Sequence, residues 1–464
     1  MAKKSISENK NPEFTGRYLI LLPERDSPEG PVNSIHSATG LTLKKSSEFT
    51  NSVFSNEDLN NCDGIVLENI GVAIVNKSPK FENSINSLSS QHNMLIEPER
   101  VVHAINLMDE NSKNYLMGYR DGINGLISQI LEENFEENGE LITEDEVSAS
   151  SVGITWGLRA TNVVPISPFF TGYSGFGVKV AILDTGFDFN HPDFVGRQII
   201  HSSFISGQST QDLFGHGTHC TGTACGPLNP AGAFPRYGIA YASQIHIGKV
   251  LNNSGSGTDG QILAGINWAY GQGCAIISMS LGARTSGPGF SAVFEATASN
   301  LLNNGVLIIA AAGNDSNRPG LINPVSHPAN CPSIMAVGAI DSNMNIATFS
   351  NGGIYPTYGA VDIVGPGVQV FSALSNPHNA LMGPAGIIRG NANGTSMAAP
   401  HVAGIAALWG QATGLRGNAL WNKLSSTAKN LPQHPTRDVG AGLVQAPQKR
   451  KWPIFKHPPF KDRL

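Results

Sequence analysis

Continuous apolar runs that alternate with helical spacing constrain this chain more than any other feature. The segments 178–183 (Val-Lys-Val-Ala-Ile-Leu) and 306–310 (Val-Leu-Ile-Ile-Ala) lack the in-and-out alternation of a half-exposed strand. They read as strands covered on both faces, the pattern of a buried parallel sheet. Segments 276–279 and 334–337 have the same character, and the stretches 259–269 and 290–302 between them carry helical signals. Over residues 152–447 this texture predicts an α/β fold of three layers, with a mainly parallel sheet flanked by helices.

The rest of the chain differs. Residues 16–105 hold short strand signals at 18–22, 65–67 and 72–75. A helix signal follows at 81–90 behind Pro79, and the segments 94–96 and 101–102 together supply a last strand. The order is strand, variable stretch, strand, strand, helix, strand, which predicts a small α+β domain. Residues 106–151 contain one amphipathic stretch (115–131) and eight acids between 132 and 146, the composition of a solvated, cleavable linker. The basic, proline-containing tail at 448–464 is expected to be irregular.

Composition excludes several function classes. A formal charge of −5 and only 14% charged residues give no basic domain for nucleic acid. No window approaches the ~18 apolar residues of a membrane span. The charged start has no apolar run behind it, so a cytoplasmic chain is expected, with export as the alternative. Five cysteines (62, 220, 225, 274 and 331) match no common zinc spacing and read as reduced thiols, although one disulfide with three free thiols is an alternative.

Three short segments carry candidate chemistry. The strand at 180–183 runs into Asp184-Thr-Gly186, and open α/β sheets place their sites at the carboxyl ends of strands. Gly215-His216-Gly-Thr-His219 puts an imidazole between glycines. A competing reading makes His216 and His219 metal ligands, but no acidic partner sits nearby in a known pattern. Gly394-Thr-Ser396 precedes a helix of small residues, so the hydroxyl would sit at a positive helix N-terminus, with Pro400 tolerable near the first turn. Each segment alone also fits a turn or a helix cap. Together they supply a nucleophile, a base to take its proton and a carboxylate to orient that base.

In this order, Asp184-Thr-Gly, Gly215-His216-Gly-Thr-His219 and Gly394-Thr-Ser396-Met-Ala-Ala-Pro400-His401-Val-Ala-Gly404 resemble the three signature blocks of the subtilisin-like serine peptidases. The resemblance implies the subtilisin-like fold and a serine endopeptidase that works through an acyl-enzyme, with no cofactor needed for catalysis. Ala311-Ala-Gly313-Asn314 is similar to the segment carrying the oxyanion asparagine, so Asn314 and the Ser396 N–H would hold the oxyanion. Ser280-Leu281-Gly282 and Gly255-Ser256-Gly257 resemble the walls that bind substrate by strand addition. Alignment from Asn314 puts Asp315 at the rim and Ser326 at the base of the pocket for the residue before the cut bond. Broad specificity is expected there, with some preference for large apolar or basic residues. Cys220 resembles the thiol beneath the catalytic histidine in the proteinase K branch, and Asp193 matches a position that holds structural calcium.

Residues 16–105 are similar to the family's propeptide domain, with 94–104 as its closing strand. This implies that the chain's own N-terminal module is an intramolecular inhibitor, cut at the end of the closing strand or within the linker. Protein or peptide substrates are the expected partners. A transpeptidase or peptide cyclase using the same acyl-enzyme, and a non-catalytic peptide-binding module, are the alternatives.

Overall fold

The computed structural model describes residues 12–23, 29–49, 54, 56–105, 153–164, 170–232, 234–285, 287–355, 359–375 and 389–450. The linker 106–151, apart from its neighbours, and residues 451–464 of the tail lie outside these.

Seven strands form the central sheet: β7 (Lys179–Asp184), β8 (Ile199–Ser203), β9 (Gln244–Lys249), β11 (Ile276–Met279), β13 (Leu307–Ala311), β14 (Met335–Ile340) and β15 (Ile363–Pro366). Their order is β15-β14-β13-β11-β7-β9-β8, with every pairing parallel. Strands β11, β13 and β14 are buried at every position, as the unbroken apolar runs require. Helices cover the sheet, among them α5 (His216–Cys225), α6 (Asp259–Gly271), α7 (Ala292–Asn303) and α8 (Thr395–Thr413). The caps are local: Thr258 and Gln261 form a capping box on α6, and Ser291 caps α7. No helix among the described residues is long and apolar enough to cross a membrane.

The N-terminal unit runs β1 (Phe14–Leu21), α1 (Glu29–Thr39), β2 (Leu43–Lys45), α2 (Asn56–Asn60), β3 (Gly64–Leu67), β4 (Val72–Val75), α3 (Pro79–His92), β5 (Leu95–Ala104). The variable stretch after β1 therefore holds two helices, α1 and α2, with the short strand β2 between them. The segments 94–96 and 101–102 belong to one strand, as read, and exposed Pro98 pairs with Tyr18 without ending it. The period-2 alternation of the sheet divides its side chains between two cores. Leu19, Leu21, Ile65, Leu67, Val72 and Ile74 join the core of the large unit, while Ile20, Val66, Ala73 and Val75 pack with Ile35, Phe81 and Leu88 of the unit's own helices. Burying such a side chain stabilises by ~1.5–3 kcal/mol, so the two units are bound apolar face to apolar face. The tail departs from expectation at its start: Gln448–Arg450 forms β16 on β6 (Phe170–Gly172) instead of irregular chain.

Acidic side chains latch β5 onto the helix N-termini beneath it. Glu97 accepts from the Ser291 hydroxyl and the Ala292 N–H, both at 2.5 Å, at the start of α7. Buried Glu99 accepts from the Gly260 N–H at 2.9 Å at the start of α6, and from Arg17 Nε at 2.6 Å. Carboxylates are favoured at these positive ends. Glu99→Ala leaves Arg17 and the Gly260 N–H without their anion and is expected to cost about 3 kcal/mol. Hydrogen exchange should then show β1 and β5 opening far more often, and unchanged protection would contradict the latch.

Candidate active site

Three elements converge at the carboxyl edge of the sheet. Asp184 ends β7, His216 opens α5, and Ser396 lies in the first turn of α8. Two glycines make the first convergence possible. A side chain on Gly217 would come within 2.3 Å of the Gly186 carbonyl oxygen, and one on Gly186 (φ +112°) would strike the Thr210 carbonyl. Without side chains there, the loop after Asp184 nests against the first turn of α5. Asp184 Oδ1 then meets His216 Nδ1 at 2.8 Å, with both groups buried. Burial disfavours the imidazolium, but the Asp184 carboxylate outweighs it and holds His216 well above its ordinary value.

The surroundings explain how these groups are held. Asp212 accepts at one oxygen from Thr185 Oγ1 and the N–H groups of Phe214 and Gly215, and at the other from the N–H and hydroxyl of Thr218. It thereby ties the Asp184 loop to the start of α5. Lys249, opposite Asp184 on β9, is buried and donates to the Thr185 carbonyl. Burial pushes its ammonium down to about 8, against the pull of Asp212 and Asp184. Around Ser396, Pro400 has no N–H to offer the carbonyl four residues earlier. The freed Ser396 carbonyl accepts instead from Ser280 Oγ at 2.8 Å and Cys220 Sγ at 3.4 Å. The Cys220 sulfur also lies 4.0 Å from His216 Nδ1.

The strand β5 fills the cleft. It pairs antiparallel with β10 (Ser256–Thr258) through His103, Val102 and Val101, and with β12 (Leu281–Gly282) through Ala104 and His103. The Ala104 N–H donates to the Gly255 carbonyl at 2.7 Å, and the Ile105 N–H to the Ser280 carbonyl at 3.3 Å. Both wall segments singled out in the sequence thus hold this strand. The Ile105 carbonyl oxygen accepts from Asn314 Nδ2 at 3.0 Å and from Ser396 Oγ at 2.8 Å. The Asn314 amide is aimed by Thr395, whose N–H and hydroxyl both reach Asn314 Oδ1 at 2.9 Å. A cleft of about 400 Å³ opens beside Ile105, lined by Gly282, Ala283, Arg284, Asn314, Asp315 and Ser326. Arg284 and Asp315 pair at 2.5 Å on its rim. Ile105, beside this cleft, is apolar and β-branched.

Asp212, Thr185, Lys249 and Thr395 were not singled out from the sequence. Thr395 was visible inside the Gly-Thr-Ser block, and Asp212 three residues before Gly215, but single Asp, Thr and Lys residues carry no pattern that marks them.

The metal readings do not survive. His219 spends Nε2 on the Val370 carbonyl at 3.0 Å. Donor atoms of Asp184, His216 and Cys220 lie within 4.8 Å of one another, but the first two are already bonded to each other. The calcium expectation at Asp193 is corrected too. Its carboxylate accepts from Arg389 Nε at 2.7 Å, from Arg389 Nη2, from the Tyr237 hydroxyl and from the Ala231 N–H at 2.6 Å. Burial acts to raise its pKa, and these donors, Arg389 first, hold it below the usual carboxylate range. A guanidinium stacked on Phe234 stands where a cation ligated by Asp193 would be. Arg389→Ala strands a buried carboxylate and is expected to cost about 3–5 kcal/mol in urea unfolding. Full stability of that variant would contradict the assignment.

Comparison with known proteins identifies the family. The subtilase family model matches residues 175–442. Subtilisin DY of Bacillus licheniformis is 41% identical over 263 residues, covering 56% of this chain and 86% of that protein. Subtilisin Savinase of Lederbergia lenta is 39% identical over 296 residues, covering 63% of this chain and 97% of its own. M-protease of Shouchella clausii is 39% identical over 309 residues, covering 66% and 72%. With more than half its length matched and its apolar runs folded into a parallel sheet, the chain belongs to the subtilase family of serine endopeptidases.

Proposed function

We propose that Ser396, His216 and Asp184 are the catalytic triad, and that the chain is a self-inhibited zymogen which cuts itself between Ile105 and Asn106. The observation that carries the proposal is the Ile105 carbonyl, held by Asn314 Nδ2 with Ser396 Oγ 2.8 Å from its oxygen. That oxygen sits where an oxyanion would form, and β5 lies in the cleft as a substrate would.

In this mechanism the Ser396 hydroxyl turns from Ile105 and Ser280 toward His216 Nε2, a buried atom with no hydrogen-bond partner among the described residues. His216 takes the hydroxyl proton as Ser396 Oγ bonds to the Ile105 carbonyl carbon, and Asp184 stabilises the imidazolium. The oxyanion is held by Asn314 Nδ2 and the Ser396 N–H. Collapse breaks the Ile105–Asn106 bond, with the His216 proton passing to the Asn106 nitrogen. Water, deprotonated by His216, then releases Ile105 as a carboxylate and restores Ser396. Afterwards β5 keeps its pairing with β10 and β12, so the cut module continues to block protein and peptide substrates until it is removed. The thiol of Cys220 against His216 supports sensitivity to mercurials, and the five unpaired cysteines support a reducing, cytoplasmic setting.

Wild-type protein should shorten to a species whose first residues are Asn106-Leu-Met, while Ser396→Ala stays full length. N-terminal sequencing reads this directly, and equal shortening of both would assign the cut to another protease. Self-cleavage needs neutral His216, and Asp184 raises the imidazole above its ordinary value. The rate should therefore climb with pH beyond the usual histidine range of ~6.5, and a rate that falls as pH rises would contradict the base assignment. Asn314→Ala should slow self-cleavage ~10²–10³-fold, a magnitude measured within the subtilisins themselves. An unchanged rate would remove Asn314 from the oxyanion site.

A further inference from the structure

The register of β5 fixes more than the cut bond. Val101 pairs with Thr258, Val102 with Gly257 and His103 with Ser256, so each residue upstream of the bond meets a set position on the wall. Counting back from Ile105 as the first, Arg100 is the sixth. There Asp259 Oδ2 accepts from the Arg100 main-chain N–H at 3.1 Å and faces its guanidinium Nη1 at 3.4 Å. Asp259 is buried, and its other oxygen meets His327 Nε2 at 2.9 Å. His327 is also buried, and its ring packs edge-on against Phe294 with centroids 4.8 Å apart.

We propose that Asp259, braced by His327, is a sixth substrate subsite that selects peptides carrying arginine six residues before the cut bond. The proposal rests on the peptidase reading above and adds its substrate class. Main-chain pairing with β10 is indifferent to side chains, so an external strand bound in this register brings its own sixth residue to Asp259. The main-chain N–H of any residue can reach Oδ2, but only the side chain discriminates. Arginine adds a charged donor to a carboxylate shielded from water, where such a bond is stronger than at a surface. Alanine leaves that oxygen with the main-chain bond alone, and glutamate sets a second anion against it. Glu97 also approaches Arg100, at 3.9 Å, but it belongs to the module and is spent on Ser291 and Ala292, so a free peptide does not depend on it. A guanidinium fits better than an ammonium, because its several N–H donors reach a carboxylate that the main chain already occupies in part.

The test uses full-length protein incubated until its module is removed, and N-acetylated peptides that copy residues 100–105 followed by Asn-Leu. The sixth position before the bond carries Arg, Ala or Glu. The expected kcat/KM is about tenfold higher for Arg than for Ala, and lower again for Glu, with the Arg advantage shrinking as salt is added. In Asp259→Asn the Arg-to-Ala ratio should fall toward one. Equal rates for Arg and Ala in the wild type overturn the subsite, whatever the fate of the variant, as does an advantage that survives in Asp259→Asn. Cleavage of none of the peptides overturns the peptidase reading and this proposal with it.

Discussion

One carbonyl group organises this molecule. The oxygen of Ile105 lies between Asn314 Nδ2 and Ser396 Oγ, and much of the N-terminal unit bears on that placement. An extended strand reaches a nucleophile only if its register is fixed, and β5 is fixed from both sides by β10 and β12. The strand in turn needs a platform, which β1 supplies by pairing with residues 95–100 of β5, with one face of the sheet sunk into the large unit's core. Glu97 and Glu99 add direction, since each carboxylate has one helix N-terminus to find. Apolar burial thus supplies the bulk of the attraction, and a few charged contacts set the register.

The large unit is built on close backbone approach. Gly217 and Gly186 let the Asp184 loop press against α5, and Asp212 and Lys249 then lock that contact with hydrogen bonds. Buried polar groups are tolerated here because they are densely paired, and pairing gives them a single geometry. Pro400 works by the same logic in reverse. Removing one helical hydrogen bond frees the Ser396 carbonyl, and Ser280 and Cys220 take it up, binding the nucleophile's turn to the substrate wall.

How much was legible depended on the kind of signal. Unbroken apolar runs imply strands covered on both faces, so the parallel sheet could be read directly. The groups Asp184, His216, Asn314 and Ser396 stood out because each lies in a short block of small residues. The helix Glu29–Thr39 did not, since Pro31 and scattered polar residues blur its spacing. The calcium ligand at Asp193 was misjudged because its partner, Arg389, is 196 residues away and nothing in either local sequence announces the other. Asp259 and His327 were equally silent, as their meaning comes from the strand that runs past them.

The central claim is that Ser396 is the nucleophile and that the chain's own strand covers it. A fluorophosphonate probe added during incubation, with the labelled residue located by peptide mass, tests both parts at once. Label should appear on Ser396 only as full-length protein disappears and its module is removed, and never in Ser396→Ala. Label on another residue, or full labelling of the intact chain before any cleavage, would contradict the account.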